Sequence, residues 1–458
     1  MLARRLYWTA YLLRRLRGQG AYPFRPAGAI CRSQAQRVSD IVGYASRHVP
    51  YYRETFARLG LAPAAFASAA DLARLPIIER EQLQRDPEYF VSDAMPRANL
   101  LLAQSSGSSG MPVRVFYDTR AVINTILYAE RSRSIATRYI GKRLHYRETT
   151  ILQDTGTDAK LTRWARQSTL LPRNWPGRRQ FLRVTDPVDQ SVAAMEEFKP
   201  DLIRTFGSYL ELLYPCLVAS GRSFHRPRLV TYGGDCLSES VRQLISGDLG
   251  IPILSGYQAI EATRIAFECE QHQGLHINID LHPIRVVDGE GRDLPPGTPG
   301  DVVVSTLANR ATVLLNYRLG DTAALWPGTC PCGRSLPLMS FPLGRVHDFV
   351  ELPSGRLLNP VPLLAPLVRV PGMCRWQLVQ ETPDRFRLLL VVSSICNRAE
   401  LLQQVPLAFA QQTGEDVRLA IEFVSDIERQ SLGKHRMVRS EMPRAHRDMP
   451  RVSAGIHT

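Results

Sequence analysis

Four short apolar runs between residues 149 and 257, "TTILQD", "LIRTF", "RLVTYGG" and "PILSGY", each end in turn residues. Amphipathic stretches at 189–198, 208–219 and 238–249 separate them. This alternation admits few folds. Parallel strands cannot be joined by a tight turn, so a helix must carry the chain back between them. A sheet of this kind binds ligands beyond the carboxyl ends of its strands. The strings "TYGGD" (231–235) and "SGYQAIE" (255–261) fall at those ends.

The pattern around this centre is legible too. Residues 30–60 and 71–84 read as helical, with loops at His48-Val49-Pro50 and near Pro63, and 120–139 reads as another helix. "NLLLAQ" and "VRVFYDT" read as strands on either side of "QSSGSSGMPV" (104–113). That order, strand–loop–strand–helix, departs from the Walker loop, and no lysine closes it. From about 275 the chain turns β-rich, with Pro295-Pro296-Gly297 between two of its strands. A hairpin turning at Pro353-Ser354-Gly355, two further strands, a helix at 398–412 and "VRLAIEFVS" form a small α+β unit. The expected architecture is α/β. A large N-terminal domain (1–344) has mostly parallel sheets flanked by helices plus a β-rich subdomain. A small mobile α+β C-terminal domain (345–458) follows, with Arg439–Thr458 as a solvated tail.

Charge and cysteine usage narrow the function classes. The chain has 57 Lys and Arg against 43 Asp and Glu, a net charge of +14. The excess is spread over 4–17, 131–147, 163–183 and 434–451 without a nucleic-acid-binding motif, so no nucleic-acid partner is expected. No apolar run approaches the ~20 residues of a membrane helix. The N-terminal "LYWTAYLL" is bracketed by Arg4-Arg5 and Arg14-Arg15, which argues against an export signal. It fits a basic amphipathic helix, packed on its own domain or resting peripherally on an anionic membrane. A cytoplasmic chain with eight reduced cysteines is expected. Cys330 and Cys332, with Cys269 and either His272 or His276, have the donor types of a tetrahedral zinc site.

Five strings now stand in order: "SSGSSGMP", "YGGD", "GYQAIE", "NYRLGD" with "GRVHD", and "SLGKHR". Together they resemble the adenylate-forming enzyme superfamily, and within it the phenylacetate–CoA ligase-like branch with its capsule-biosynthesis-type (CapK-like) relatives. "HVPYYRETFARLGL", "DLARLPIIERE" and "CPCGR" are similar to that branch as well, and the resemblance spans about 45 to 440. It implies ATP-dependent activation of a carboxylic acid as an acyl-adenylate, with pyrophosphate released and the acyl group passed to coenzyme A. Such chemistry must bring two anions together and neutralise the charge that builds.

The resemblance assigns roles position by position. Ser105, Ser106, Gly107, Ser108, Ser109 and Gly110 would hold the outer phosphates of ATP. Gly233, Gly234 and Asp235 would lie along the adenine, and Tyr257 would stack on it. Glu261 would hold Mg²⁺, Asp321 the ribose hydroxyls, and Arg345 the ribose or phosphates. Lys434 would reach the α-phosphate and acyl oxygen in the transition state, with the hinge at Asp348. Ile260 stands where the family has threonine, and Met111 and Val113 where many relatives have lysine or threonine. Relatives also imply a structural zinc on Cys269, His276, Cys330 and Cys332. The substrate pocket would be lined partly by "FGSYLELL" (206–213) and by residues around Gly256. Three readings stay open at this point: the acyl-CoA-forming ligase, an adenylyltransferase or amide-forming ligase with another acceptor, and a weakly catalytic nucleotide-binding scaffold in envelope polysaccharide synthesis.

Overall fold

The computed structural model describes residues 2–105, 111–154, 156–172, 175–221, 223–342, 350–358, 364, 367, 370, 372–393, 395–427 and 438–442. It opens with α1 (Leu2–Leu16), α2 (Ala27–His48) and α3 (Pro50–Leu59). α2 stops before Pro50, where the preceding residue, Val49, is extended, and the proline then serves as the first residue of α3.

α1 packs on its own domain. Leu12 is fully buried, and Trp8 and Tyr11 lean on the core. The Tyr11 hydroxyl donates to Asn124 at 2.9 Å, and Arg5 reaches the Thr169 carbonyl at 2.7 Å. Leu2, Leu6, Tyr7 and Leu13 are left exposed.

The helix expected over 71–84 is broken. A short 3-10 turn covers Ala70–Arg74, and α4 is confined to Arg80–Arg85. Pro76 has no N–H to continue a helix, and it holds Leu75 extended.

β1 (Leu101–Gln104) and β2 (Arg114–Tyr117) pair antiparallel, Leu101 opposite Tyr117, so the serine–glycine stretch is a hairpin connection. α5 (Thr119–Ile140) follows, capped by Asp118, whose Oδ1 accepts the Ala121 N–H at 2.8 Å.

Next come β3 (Arg147–Leu152), α6 (Thr157–Ser168), β4 (Arg178–Arg183), α7 (Val188–Phe198), β5 (Leu202–Thr205), α8 (Gly207–Ala219), β6 (Leu229–Gly233), α9 (Glu239–Gln243) and β7 (Ile253–Tyr257). The five strands run parallel in the order β4-β3-β5-β6-β7. Side chains alternate between faces. Ile151, Ile203, Val230 and Ile253 pack under α7 and α8, while Leu202, Leu229 and Leu254 pack on Ile135 and Ile140 of α5.

β8 (Ala266–Glu268) and β9 (Leu275–Ile277) extend this sheet antiparallel from β7. β10 (Ile284–Val287), β11 (Gly300–Val304) and β12 (Tyr317–Ala323) form the β-rich subdomain as a separate antiparallel sheet. β13 (Leu338–Met339) returns to pair with β9.

β14 (Val350–Glu351) and β15 (Leu357–Leu358) form the expected hairpin, with Gly355 at φ 81° in its turn. β16 (Met373–Thr382), β17 (Arg385–Val392), α10 (Arg398–Thr413), β18 (Arg418–Phe423) and β19 (Val438–Ser440) are the last described elements. Their sheet, β18-β17-β16-β19, has its own core around Trp376, Phe386, Leu388 and Phe409. Residues 439–440, expected in the solvated tail, belong instead to β19, which pairs parallel with β16. The boundary expected at 344–348 lies outside the described residues.

Candidate active site

The two strand-end strings are neighbours. In the β6–β7 register Tyr232 stands beside Ser255 and Gly233 beside Gly256. A Cβ on Gly233 would stand 2.5 Å from the Gly256 carbonyl oxygen, so the backbones can approach only because the residue is glycine. Gly234 turns the chain with φ 85°.

Asp235 keeps its place after this turn, but its side chain reaches α8. Its Oδ1 accepts the Ser208 N–H at 3.1 Å, and Oδ2 accepts the Ser208 hydroxyl. It therefore fastens the start of α8 to the strand end. Nearby Glu211 accepts the Ser238 N–H, and burial pushes its carboxyl up to about 7.

Tyr257 and Asp321 lie 64 residues apart in sequence and meet. The tyrosine hydroxyl donates to Asp321 Oδ2 at 2.7 Å. The Tyr257 ring is 8% exposed, so most of it belongs to the core and little is left open for stacking.

Glu261 is 4% exposed. Its Oε1 receives Arg80 Nη1 at 3.2 Å and the Tyr317 hydroxyl at 3.2 Å. Neither partner was singled out from the sequence. Arg80 opens α4, where Gln82 accepts the Glu79 N–H at 2.8 Å and Arg318 holds the Glu79 carboxylate at 3.1 Å. The only signal was that Arg80 lies in "DLARLPIIERE". Ile260, in the threonine position, packs against the core, and its carbonyl accepts the Tyr117 hydroxyl. A single buried carboxylate suits Mg²⁺, which takes one or two carboxylates and completes its shell with water and phosphate oxygens. Here that carboxylate already faces a guanidinium, so a cation would have to approach through Oε2.

Ser105 closes the base of the hairpin connection. Its N–H donates to the Val113 carbonyl at 3.0 Å, and its Oγ accepts the Val113 N–H at 2.8 Å. The Ser105 side chain is thus tied to its own loop. Ser106–Gly110, Arg345, Asp348 and Lys434 lie outside the described residues.

The candidate zinc set assembles as expected from sequence. The ligand atoms of Cys269, His276, Cys330 and Cys332 all lie within 4.8 Å of one another. Cys269 Sγ is 3.6 Å from Cys330 Sγ, and Cys332 Sγ is 3.3 Å from His276 Nε2. A tetrahedron with ordinary Zn–S and Zn–N bonds has edges of about 3.5–3.8 Å. His276 Nδ1 lies 3.2 Å from the Leu336 carbonyl, the outer contact that orients a ligating imidazole. Burial pushes the Cys269 thiol up to about 12 and the His276 imidazole down to about 4. Burial also opposes ionisation of Cys332, but its hydrogen bonds with Arg334 outweigh this and hold the thiol below its ordinary value. His272, the other histidine considered, turns to Glu268 at 2.7 Å instead.

Comparison with known proteins follows the same outline. The family model for the CapK C-terminal domain matches residues 353–441. The phenylacetate-coenzyme A ligase of Thermus thermophilus is 27% identical over 391 residues, 84% of this chain and 83% of that protein. The Escherichia coli phenylacetate-coenzyme A ligase is 26% identical over 328 residues, covering 69% and 71%. Among solved structures, 2-hydroxyisobutyryl-CoA ligase in its postadenylation state with 2-HIB-AMP superposes with a TM-score of 0.72 at 18% identity, over 91% of this chain and 90% of that one.

Proposed function

We propose that this chain, a member of the adenylate-forming superfamily in its phenylacetate–CoA ligase-like, CapK-type branch, activates a carboxylic acid with ATP and passes the acyl group to coenzyme A. In the first step a carboxylate oxygen attacks the α-phosphorus of ATP and pyrophosphate leaves. In the second, the thiol sulfur attacks the acyl carbon, a thioester forms, and AMP leaves. The observation that carries the reading is the Tyr257–Asp321 contact beside the Gly233–Gly256 strand ends. The residues that the resemblance assigns to the base and the ribose lie far apart in sequence and touch at the carboxyl end of a parallel sheet, which supports the reading.

In this reading Gly233 and Gly234 give the adenine room, Tyr257 borders it, and Asp321 accepts from the ribose hydroxyls. Asp235 keeps α8 in place below. Ser105–Gly110 hold the β- and γ-phosphates through backbone N–H groups and hydroxyls. Arg345 reaches the ribose or phosphates, and Lys434 stabilises charge on the α-phosphate. Bound at Glu261, Mg²⁺ would neutralise phosphate charge during displacement. Arg80 holds that carboxylate in the absence of a cation. The 1–344 and 345–458 domains would rotate about Asp348 between the two half-reactions. Zn²⁺ on Cys269, His276, Cys330 and Cys332 would fasten the β8–β9 turn to the segment before β13, a structural role.

No described helix is long and apolar enough to cross a membrane. We extend the reading to a cytoplasmic protein that touches an anionic membrane peripherally. The outward residues Leu2, Leu6 and Leu13 would enter the interface and the neighbouring arginines would meet the headgroups. Sedimentation with phosphatidylserine vesicles tests this. Binding abolished by Leu6→Glu supports it, and no binding by the wild type rejects it.

The ligase reading is tested by mass spectrometry of reactions with ATP, Mg²⁺ and a panel of carboxylic acids. Acyl-adenylate without coenzyme A, and thioester with it, are expected. Acyl-adenylate that never becomes thioester would shift the acceptor to an amine or another group.

A further inference from the structure

The sheet face beneath the nucleotide end carries arginines that the proposed chemistry does not use. Arg204 stands in β5, level with Thr150 of β3 and Thr231 of β6. It shares a face with Gly256 and lies two residues deeper in the sheet, on the order of 7 Å below the strand ends. Gly256 projects no side chain, so the space above Arg204 is open. β5 is an interior strand, yet the Arg204 side chain remains 38% accessible, so this face of the sheet is open there rather than packed. Arg264, three residues after Glu261, lies near enough to Arg204, Glu148 and Asp158 for their charges to act on it. It is held at φ 60°, a conformation non-glycine residues rarely adopt.

The carboxylates present do not balance these cations. Glu148 serves two guanidiniums, with Arg204 Nε at 3.4 Å and Arg179 Nε at 3.7 Å. Asp158, at the start of α6, lies 3.5 Å from the side-chain amide of Gln258, next to Tyr257. Among the described residues, the Arg264 guanidinium makes no hydrogen bond or ion pair, and its Nε is buried with no partner. Three arginines thus face two carboxylates. Burial and the adjacent Arg204 pull Arg264 below the ordinary arginine range, as expected of a guanidinium short of a counter-ion. A buried charge without a partner is costly, and an anionic ligand group would relieve that cost.

We infer that the acid this enzyme activates carries a second anionic group, which Arg264, with Arg204 beside it, receives in the hollow under Gly256. The reacting carboxylate then points up to the α-phosphate at the strand ends, and the second anion points down into the sheet face. The inference rests on the ligase reading and names its substrate class: dicarboxylic acids or acids with an equivalent anionic substituent, rather than simple aromatic or aliphatic monoacids.

The test is ATP–pyrophosphate exchange with succinate, glutarate, adipate and phthalate, each beside its monomethyl ester, which keeps one carboxylate and neutralises the other. At least one diacid should exceed its half-ester by about tenfold or more in kcat/KM, the scale of one charge-assisted hydrogen bond. Arg264→Met should remove that preference by raising KM for the diacid while leaving exchange with the half-ester unchanged. Arg264→Lys should restore part of it, which separates lost recognition from lost folding. Half-esters or plain monoacids used as well as diacids, by wild type and Arg264→Met alike, would overturn the inference and leave the ligase reading standing. Absence of exchange with every acid would reject the ligase reading itself. Calorimetric titration of the four diacids then decides the site without turnover: binding weakened about tenfold in Arg264→Met supports it, and equal binding, or none to the wild type, overturns it.

Discussion

Arg131 and Arg80 each face a buried carboxylate, but the two pairs are built differently. Arg131 and Asp280 are both fully buried, with Nη1–Oδ1 at 2.7 Å and Nη2–Oδ2 at 2.9 Å. Asn278 takes a further bond from Arg131 Nη1 at 2.7 Å, and the guanidinium lies 4.2 Å from the Tyr22 ring centre. Arg37 adds a second cation 3.7 Å from Asp280. Arg80 touches Glu261 once, at 3.2 Å, and remains 19% exposed. The first cluster is closed and ties α2, α5 and the segment before β10 together. The second has one ion-pair contact and one hydroxyl bond, both on Glu261 Oε1, and a position beside the strand ends; among the described residues Oε2 has no hydrogen-bond partner. Satisfied pairs hold the scaffold, and incompletely satisfied ones mark where a ligand belongs.

Asp280→Ala should show the largest effect, because it strands Arg131 in the core. A loss of about 3–5 kcal/mol in denaturant unfolding is expected, with the kinetics of the protein that still folds unchanged. A loss below about 1 kcal/mol would put the cluster among weakly coupled surface pairs.

The candidate zinc set sits on the scaffold side of the same divide. Elemental analysis should find one zinc per chain. Chelation should lower stability by several kcal/mol, a Tm shift on the order of 5–10 °C, and spare ATP binding in protein that remains folded. Metal-free protein of unchanged Tm would leave the four residues as reduced thiols and a neutral imidazole.

Glu211 probes the border between the two kinds of region. Its folded pKa of about 7 lies above the ordinary value of 4.5, chiefly through burial. The folded state therefore holds a proton that the unfolded chain releases. Stability from this group is fully present below about pH 4.5 and is lost as pH rises through about 7, a swing on the order of 3 kcal/mol. Glu211→Gln should flatten that stretch of the stability profile and raise Tm at pH 8. An unchanged profile would place the carboxylate in contact with water.

The smallest expected effect in energy concerns the proposed adenylation chemistry. Lys434→Ala should lower adenylation at least about tenfold, near 1.4 kcal/mol, with ATP affinity largely kept. Unchanged adenylation would remove Lys434 from the reaction.

The scaffold was legible where apolar periodicity marks an element. β3, β5, β6 and β7 and the helices between them follow the alternation of short apolar runs. β4 escaped notice because "RRQFLR" is an edge strand whose three arginines break the apolar run. The four candidate zinc ligands were visible because cysteine and histidine at those spacings have few other uses; the family resemblance favoured His276 over His272, and the fold brings His276 to the cysteines while His272 turns to Glu268. Tyr257 and Asp321 could be named one by one, but not their contact. Arg80 and Arg264 were invisible for the same reason. An arginine destined for a buried position reads in sequence like one on the surface, and here 57 basic residues hide the few that matter.

Acid-dependent pyrophosphate exchange, measured across a broad acid panel with wild type and Asp321→Ala, tests the central claim most directly. The account predicts exchange that requires an acid and falls at least about tenfold when the Tyr257–Asp321 contact is removed. Acid-independent exchange, or none with any acid while ATP still binds, would contradict it.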